Sequence, residues 1–165
     1  MSPCLRRPTP ALVLVVALLC VAAAVPTATS ARHGRDMGGA TRPTTPGKAE
    51  RVARIALLEV GVPYVWGGET PRGFDCSGLV RFAYGQVGIS LPHNSYALYG
   101  TGRAVSRANL EPGDILFFSG LGHVGIYVGN GRMVHAPQTG ESVEVVSLSS
   151  GYGASFVAAR RVVAS

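Results

Sequence analysis

The sequence predicts an α+β domain in which helices come first and an antiparallel β-sheet follows. Apolar residues recur at helical spacing in the first half of the folded region, whereas the second half carries short apolar runs rich in β-branched and aromatic residues. Helices followed by strands are typical of an α+β arrangement, not of an alternating parallel one. The chain has 165 residues, of which 47% are hydrophobic and 15% are charged. This composition fits one globular domain plus an additional apolar segment.

That apolar segment lies at the N-terminus. Arg6 and Arg7 precede an apolar run over residues 11–25, and small residues follow as far as Ala31. This order is typical of a secretory signal peptide, and the run is shorter than the roughly 20 residues that a membrane-spanning helix needs. We therefore expect a signal peptide over residues 1–31 that is cleaved on export, with an uncleaved anchor as the alternative. The residues ahead of Cys20 do not resemble a lipidation site.

A polar segment rich in Gly, Pro and Thr follows, which indicates a flexible linker over residues 32–47 and a folded domain over residues 48–165. Three helices are predicted in this domain, over residues 48–60, 76–87 and 94–100. Asp75 is placed to cap the second helix, and Gly61 and Gly88 are placed to end the first two. A glycine-rich loop over residues 64–74 joins the first two helices.

Five apolar runs predict the strands of the sheet. They cover residues 115–118, 123–128, 133–136, 143–148 and 156–163. Gly129, Asn130 and Gly131 lie between the second and third runs and predict a hairpin, because Asn and Gly tolerate the positive φ of tight turns. Asp114 precedes the first strand, where we expect it to serve the turn and not acid-base chemistry.

Charge and cysteine content narrow the functional classes. The formal net charge is +6, and loss of the signal peptide would remove two arginines. No nucleic-acid-binding motif accompanies the positive charge. The charge is consistent with an ordinary solvated surface or with a protein that works near an anionic cell wall. Cys4 and Cys20 lie in the signal peptide, so Cys76 is the single cysteine of the predicted mature chain and cannot form an intramolecular disulfide. A lone thiol in an exported protein is either a buried core residue or a reactive group.

Cys76 is predicted at the start of a helix, where the helix dipole favours the thiolate, although the charge of Asp75 would partly offset this. A nearby histidine would complete the activation, either by taking the thiol proton or by forming an ion pair. If the hairpin centres on Asn130, paired positions sum to about 260, which places His123 and His135 side by side. They would supply a base and a residue that orients it.

Other uses of these residue types remain open. His33 lies in the linker, and His93 is expected in a surface loop, although it could border the cleft. Tyr64 and Trp66 could be packing residues beneath the loop. One cysteine and two histidines could bind zinc, but no CxxC or HxxxH pair is present, so we predict no metal and no organic cofactor.

Three segments resemble the NlpC/P60 peptidase family in order and in content. They are PYVWGGETPRGFDCSGLVRFAY, LEPGDILFF and GHVGIYVGNGRMVHAP, and the resemblance extends from about Lys48 to the C-terminus. It implies a papain-like NlpC/P60 fold with N-terminal helices packed on an antiparallel sheet. It also implies Cys76 as nucleophile, His123 as base and His135 as the orienting member. Tyr64 matches a tyrosine near the nucleophile, and Asp75 and Ser77 match positions associated with the substrate backbone or amine.

The resemblance implies a secreted or wall-associated bacterial cysteine endopeptidase that acts on peptidoglycan stem peptides. The sequence does not determine the oligomeric state, and we expect a monomer. The expected bond joins D-glutamate to the following diamino acid. We expect no nucleic-acid partner and no stable membrane insertion after signal cleavage. Two alternatives are an amidase or acyltransferase that uses the same Cys/His pair, and a non-catalytic wall-binding module. A depressed pKa of Cys76 would count against the binding module.

Overall fold

The computed structural model describes residues 45–163, so the predicted signal peptide and most of the predicted linker lie outside the described residues. Helix α1 spans Lys48–Leu58 and buries Ala49, Val52, Ala53 and Ala56. Helix α2 spans Cys76–Gly85, and the short helix α3 spans Ser95–Tyr99. The side chain of Asn94 caps α3 by accepting a hydrogen bond from Ala97 N at 3.0 Å. All three helices lie where the sequence predicts them, with ends one or two residues inside the predicted limits.

Two short strands in the loop between α1 and α2 form a small antiparallel ribbon. Strand β1 is Glu69–Thr70 and strand β2 is Gly73–Phe74. Asp75 N donates to Gly68 O at 2.9 Å, so the ribbon is tied to the residue that precedes α2. The loop is thereby held against the start of the helix that carries Cys76.

The main sheet has six strands, and every neighbouring pair is antiparallel. The strands are β3 (Arg103–Val105), β4 (Ile115–Phe118), β5 (His123–Gly129), β6 (Arg132–His135), β7 (Glu144–Ser147) and β8 (Phe156–Arg161). Their order across the sheet is β3, β8, β4, β5, β6, β7. The predicted α+β class with an antiparallel sheet is confirmed. Strand β3 was not predicted.

The side chains of β4 alternate between two cores. Ile115 and Phe117 join the buried side chains of α1 and α2 in the larger cluster, together with Val124 and Ile126 of β5. Leu116 and Phe118 belong to a smaller cluster with Met133 of β6, Leu148 and Ala159 of β8. The sheet is therefore covered on both faces, as expected for a strand with the uninterrupted apolar sequence ILFF.

A buried ion pair links the end of β8 to the turn before β4. Arg161 Nε donates to Asp114 Oδ1 at 2.7 Å, and Arg161 Nη2 donates to Asp114 Oδ2 at 2.8 Å. Asp114 Oδ2 also accepts from Glu111 N at 2.8 Å, which confirms that Asp114 serves the turn. Tyr84 of α2 donates to Gly113 O at 2.7 Å and links the helix to that same turn. Among residues 45–163, no helix is both long enough and apolar enough to cross a membrane.

Candidate active site

Cys76 is the first residue of α2, directly after the N-cap Asp75. Asp75 has extended backbone angles, with φ −93° and ψ 176°, and its Oδ1 accepts from Gly78 N at 2.7 Å. This satisfies one of the free N–H groups at the start of the helix. The predicted cap is thus confirmed, and it places the free thiol of Cys76 at the helix entrance.

The protein raises the pKa of the Cys76 thiol above its ordinary value. Burial is the largest cause, and the charge of Asp75 adds to it. Backbone N–H groups of Val124, Ser77 and Cys76 itself act in the opposite direction. The helix start therefore does favour the thiolate locally, but burial outweighs it, because a charged sulfur loses water as it becomes enclosed. The sequence left the net effect of the helix dipole and Asp75 on the thiolate open, and burial now gives it a sign: the thiol stays protonated, so a base is needed.

His123 and His135 lie side by side on the β5–β6 hairpin. Ile126 pairs with Val134 and Tyr127 with Met133, so paired positions sum to 260, and a register shift follows at Gly129. Gly129, Asn130 and Gly131 all have positive φ, which confirms the hairpin signal. The two imidazole rings meet edge to face with centroids 5.0 Å apart.

A hydrogen bond joins the two imidazoles: His123 Nε2 lies 2.8 Å from His135 Nδ1. His135 is fully buried, and Gly125 leaves the room it needs, since a Cβ at Gly125 would lie 3.2 Å from His135 Cβ and 2.9 Å from Met133 Sδ. The glycine of the HVGIY segment is thereby explained by the close approach of the neighbouring strand. The sulfur of Cys76 faces the N–H of Val124, the residue next to His123.

Both histidines are neutral at neutral pH. Burial lowers the pKa of His123 to about 4. Burial, together with the nearby His123, lowers the pKa of His135 to about 3. A neutral imidazole beside a protonated thiol can accept the thiol proton. The pair therefore has the resting protonation states of a nucleophile and a general base.

Cys76 opens onto a cleft of about 370 Å³. Its lining includes Tyr64, Asp75, Ser77, His93 and two exposed aromatic side chains, Trp66 and Tyr96. Burial, followed by the charges of Cys76 and Asp75, raises the pKa of Tyr64, so its hydroxyl remains a proton donor near the thiol. Trp66 is 86% exposed, so a packing role for it beneath the loop is wrong. A second cleft of similar volume lies around Arg107 and Tyr127, and none of the described residues that line it is a cysteine or a histidine.

Asp75 organises one wall of this cleft. It accepts from Gly67 N at 3.0 Å and from Ser77 Oγ at 3.0 Å, in addition to Gly78 N. His93 Nε2 lies 3.0 Å from both carboxylate oxygens of Asp75. The Ser77 hydroxyl therefore donates to Asp75. The Asp75 carboxylate thus contacts the glycine-rich loop, the start of α2 and the His93 ring at the same time.

The location of His93 corrects the sequence analysis. We expected a surface loop residue, yet its side chain is 20% exposed and lies in the cleft between Asp75 and Glu69, with Nδ1 3.4 Å from Glu69 Oε2. The position follows from the fold, because the segment before α3 packs against the start of α2, where Asp75 binds the ring. No local pattern around LPHNS shows this contact. Within residues 45–163, no three His, Cys, Asp or Glu side chains are grouped as metal ligands.

Comparison with known proteins gives one family and a consistent set of relatives. Residues 61–161 match the family model described as NlpC/P60 family. A probable endopeptidase of Mycobacterium tuberculosis is 50% identical over 105 residues, which cover 63% of this chain and 27% of that protein. The murein DD-endopeptidase MepH of Escherichia coli is 44% identical over 126 residues, which cover 70% of this chain and 46% of MepH. The bifunctional muramidase/DL-endopeptidase CwlT of Bacillus subtilis is 42% identical over 110 residues, which cover 62% of this chain and 33% of CwlT.

Solved structures give the same result for the fold. An NlpC/P60 family protein from Bacillus cereus superposes with a TM-score of 0.67 at 35% identity, covering 72% of this chain and 41% of that one. The NlpC/p60 domain of the peptidoglycan hydrolase SagA superposes with a TM-score of 0.63 at 37% identity, covering 68% and 97%. The chain spans less than half the length of the three sequence relatives.

Proposed function

The chain belongs to the NlpC/P60 family, and on that premise we propose that it is a cysteine endopeptidase that hydrolyses amide bonds in the stem peptides of bacterial peptidoglycan. The observation that carries the proposal is the arrangement around Cys76. The protonated thiol of Cys76 lies at the start of α2 and lines a cleft. His123, which is neutral and hydrogen-bonded to His135, precedes Val124, the residue whose N–H faces that thiol.

The reaction begins with proton transfer from Cys76 to His123. His123 uses Nε2 in its bond to His135, so Nδ1 is the ring nitrogen left to accept the proton. The sulfur then attacks the scissile carbonyl carbon and forms a C–S bond. His123 gives the proton to the departing amine as the C–N bond breaks, which leaves a thioester. A water molecule, deprotonated by the same imidazole, then attacks the thioester carbonyl. The C–S bond breaks, the acyl group leaves as a carboxylic acid, and the imidazolium returns its proton to the sulfur.

The carbonyl oxygen becomes negatively charged in both tetrahedral intermediates. Backbone N–H groups at the start of α2 are available as donors, since Asp75 accepts from Gly78 N and the N–H groups of Cys76 and Ser77 face the sulfur. The protonated Tyr64 hydroxyl at the same cleft is a second donor. One such donor typically lowers the barrier by about 3 kcal/mol.

The relatives' names support peptidoglycan as the substrate class but differ on the bond. MepH is named a DD-endopeptidase and CwlT a DL-endopeptidase. We propose the bond between D-glutamate and the diamino acid, as the family resemblance implies. Asp75 and Ser77 lie beside Cys76, where they would contact the peptide backbone or a free amine of the substrate.

Digestion of defined stem peptides tests this function. The purified protein is incubated with tetrapeptides and with crosslinked dimers, and the fragment masses are read out. A cut after D-glutamate supports the proposal, whereas a cut only at the crosslink assigns the DD bond. Transfer of the acyl group to an added amine, without hydrolysis, indicates the acyltransferase alternative. An absence of any new mass, together with retained binding to the wall, indicates the binding module.

We also propose export to the cell wall, on the strength of the N-terminal sequence pattern and the substrate class of the relatives. The mass of the protein recovered from the medium or the wall fraction tests this. Loss of about the first 31 residues supports cleavage at the expected site. Recovery of the full-length chain from the membrane fraction would identify an uncleaved anchor.

A further inference from the structure

One nitrogen of the His135 imidazole has no hydrogen-bond partner among residues 45–163. Its Nδ1 faces His123, while Nε2 is buried and forms no hydrogen bond with any of those residues. Glu144 Oε1 lies 3.5 Å from that Nε2, and His135 and Glu144 are cross-strand partners on β6 and β7. At 3.5 Å the two atoms are near enough to attract, although they fall short of a well-formed hydrogen bond. A buried polar nitrogen of this kind requires an explanation.

Proton counting shows why the partner of Nε2 matters. Each neutral imidazole carries one N–H, and the 2.8 Å bond between His123 and His135 contains one of them. If His123 Nε2 is the donor, His135 carries its proton on Nε2 and His123 Nδ1 has a free lone pair. If His135 Nδ1 is the donor, His123 carries its proton on Nδ1. Only the first arrangement leaves His123 able to accept a proton from Cys76.

The carboxylate of Glu144 distinguishes the two arrangements. In the first, an N–H of His135 points towards Glu144 Oε1, and the two attract. In the second, a lone pair points towards a negatively charged oxygen, and the two repel. We propose that Glu144 is a positioning residue that sets the direction of the His123–His135 hydrogen bond and thereby keeps His123 in its basic form. This inference rests on the proposed function.

The other groups around His135 do not supply this contact. His123 approaches from β5 on the opposite side of the ring. Tyr152 stacks edge to face on His135 at 4.7 Å between centroids, and its pKa is raised by burial and then by the charges of Glu144 and Glu141, so it stays uncharged at neutral pH. Glu144 is the acid paired with His135 among the described residues.

The direction of the bond has a further consequence after proton transfer. Once His123 has taken the Cys76 proton, it is an imidazolium that donates Nε2–H to His135 Nδ1. The opposite arrangement would place two N–H groups against each other. The negative charge of Glu144 therefore supports both the resting state and the charged state, as second partners of reactive histidines do elsewhere.

Substitution of Glu144 tests the proposal. For Glu144→Ala we expect kcat on a defined stem peptide to fall about tenfold with KM unchanged. This is well below the roughly 10⁴-fold loss that a reversed tautomer causes in serine proteases, because Glu144 is half-exposed and water can replace it. Glu144→Gln should retain more activity, with a loss of about threefold, since its amide oxygen carries a partial negative charge that still attracts the N–H of Nε2, but no full charge. Glu50→Ala, which removes an exposed charge from α1, is the matched control and should change neither constant.

Nitrogen NMR of the histidine rings provides a readout that does not depend on activity. With ¹⁵N-labelled histidine, the wild type should show protonated Nε2 and bare Nδ1 on both His123 and His135. Glu144→Ala should show a mixture of tautomers at His135. Wild-type kcat in Glu144→Ala, or protonated Nδ1 on His135 in the wild type, would overturn the inference. An inactive wild type with the expected tautomers would instead refute the proposed function and leave the role of Glu144 intact.

Discussion

Gly78→Ala should destabilise the protein and damage the cleft, although alanine is normally the better helix residue. Gly78 lies in the first turn of α2 against the loop that carries Gly68. A Cβ there would lie 3.0 Å from Gly68 C and 3.1 Å from His93 Nε2, and nearer still to Gly68 O. These contacts force the loop backbone outward, because the two nearest obstructing atoms belong to the main chain of Gly68 and cannot rotate away.

The magnitude follows from three contributions. Overpacking costs about 2 kcal/mol at a tight position. The outward shift also strains the hydrogen bond from Asp75 N to Gly68 O, worth about 1 kcal/mol, and the higher helix propensity of alanine returns about 1 kcal/mol. We therefore expect Gly78→Ala to lower the free energy of unfolding by about 2 kcal/mol, which is about 1 M in the urea midpoint.

Gly85→Ala is the matched control in the same helix. Apart from its chain neighbours and the backbone of its own helix, no atom of residues 45–163 lies within 4 Å of a Cβ at Gly85, and its φ is not in the left-handed region. It should stabilise the protein by about 0.5 kcal/mol. Both variants are compared by urea unfolding and by kcat/KM, and we expect a loss of about 100-fold in kcat/KM for Gly78→Ala because the wall of the cleft moves. Equal stability and full activity in the two variants would refute the close approach of loop and helix.

Two further predictions concern the histidines and pH. His123→Ala should lower kcat by about 10³-fold and His135→Ala by about 10²-fold, because an orienting residue is more replaceable than a base; equal and complete loss would indicate other roles, which chelator titration with metal analysis would resolve. The pKa of His123 is lowered to about 4, so His123 is neutral and able to act as a base above that pH. Its imidazole becomes protonated, and activity falls, as the pH drops through that value. The acid limb of kcat/KM should therefore lie well below pH 6.5. Because burial raises the pKa of Cys76 above that of an ordinary cysteine thiol, iodoacetamide alkylation should rise at a higher pH than for a free cysteine, and a plateau near neutral pH would indicate a thiolate–imidazolium pair.

Much of the fold is readable from the sequence because its signals are local. Strand β4 matches the ILFF run, and the Gly129–Asn130–Gly131 turn sets the register that brings His123 and His135 together. Strand β3 and the placement of β8 between β3 and β4 could not be predicted. Those pairings join residues 38 to 58 positions apart, and no local pattern encodes them.

The site was predictable in its residues and less so in its electrostatics. Asp75 as a cap and Cys76 at the helix start follow from the order of residue types. The raised pKa of Cys76 arises from burial, which depends on tertiary packing that the sequence does not display. The contacts of His93 and Glu144 also depend on tertiary packing. Asp75, the partner of His93, is eighteen residues away, and Glu144 lies beside His135 only because β6 and β7 pair.

The most direct test of the account compares the wild type with Cys76→Ala on purified peptidoglycan. Soluble stem-peptide fragments are measured by mass spectrometry, and circular dichroism checks that the variant is folded. The account predicts fragments from the wild type and none from a folded Cys76→Ala protein, because Cys76 provides the sulfur that attacks the amide carbonyl. Release of the same fragments by Cys76→Ala would contradict it.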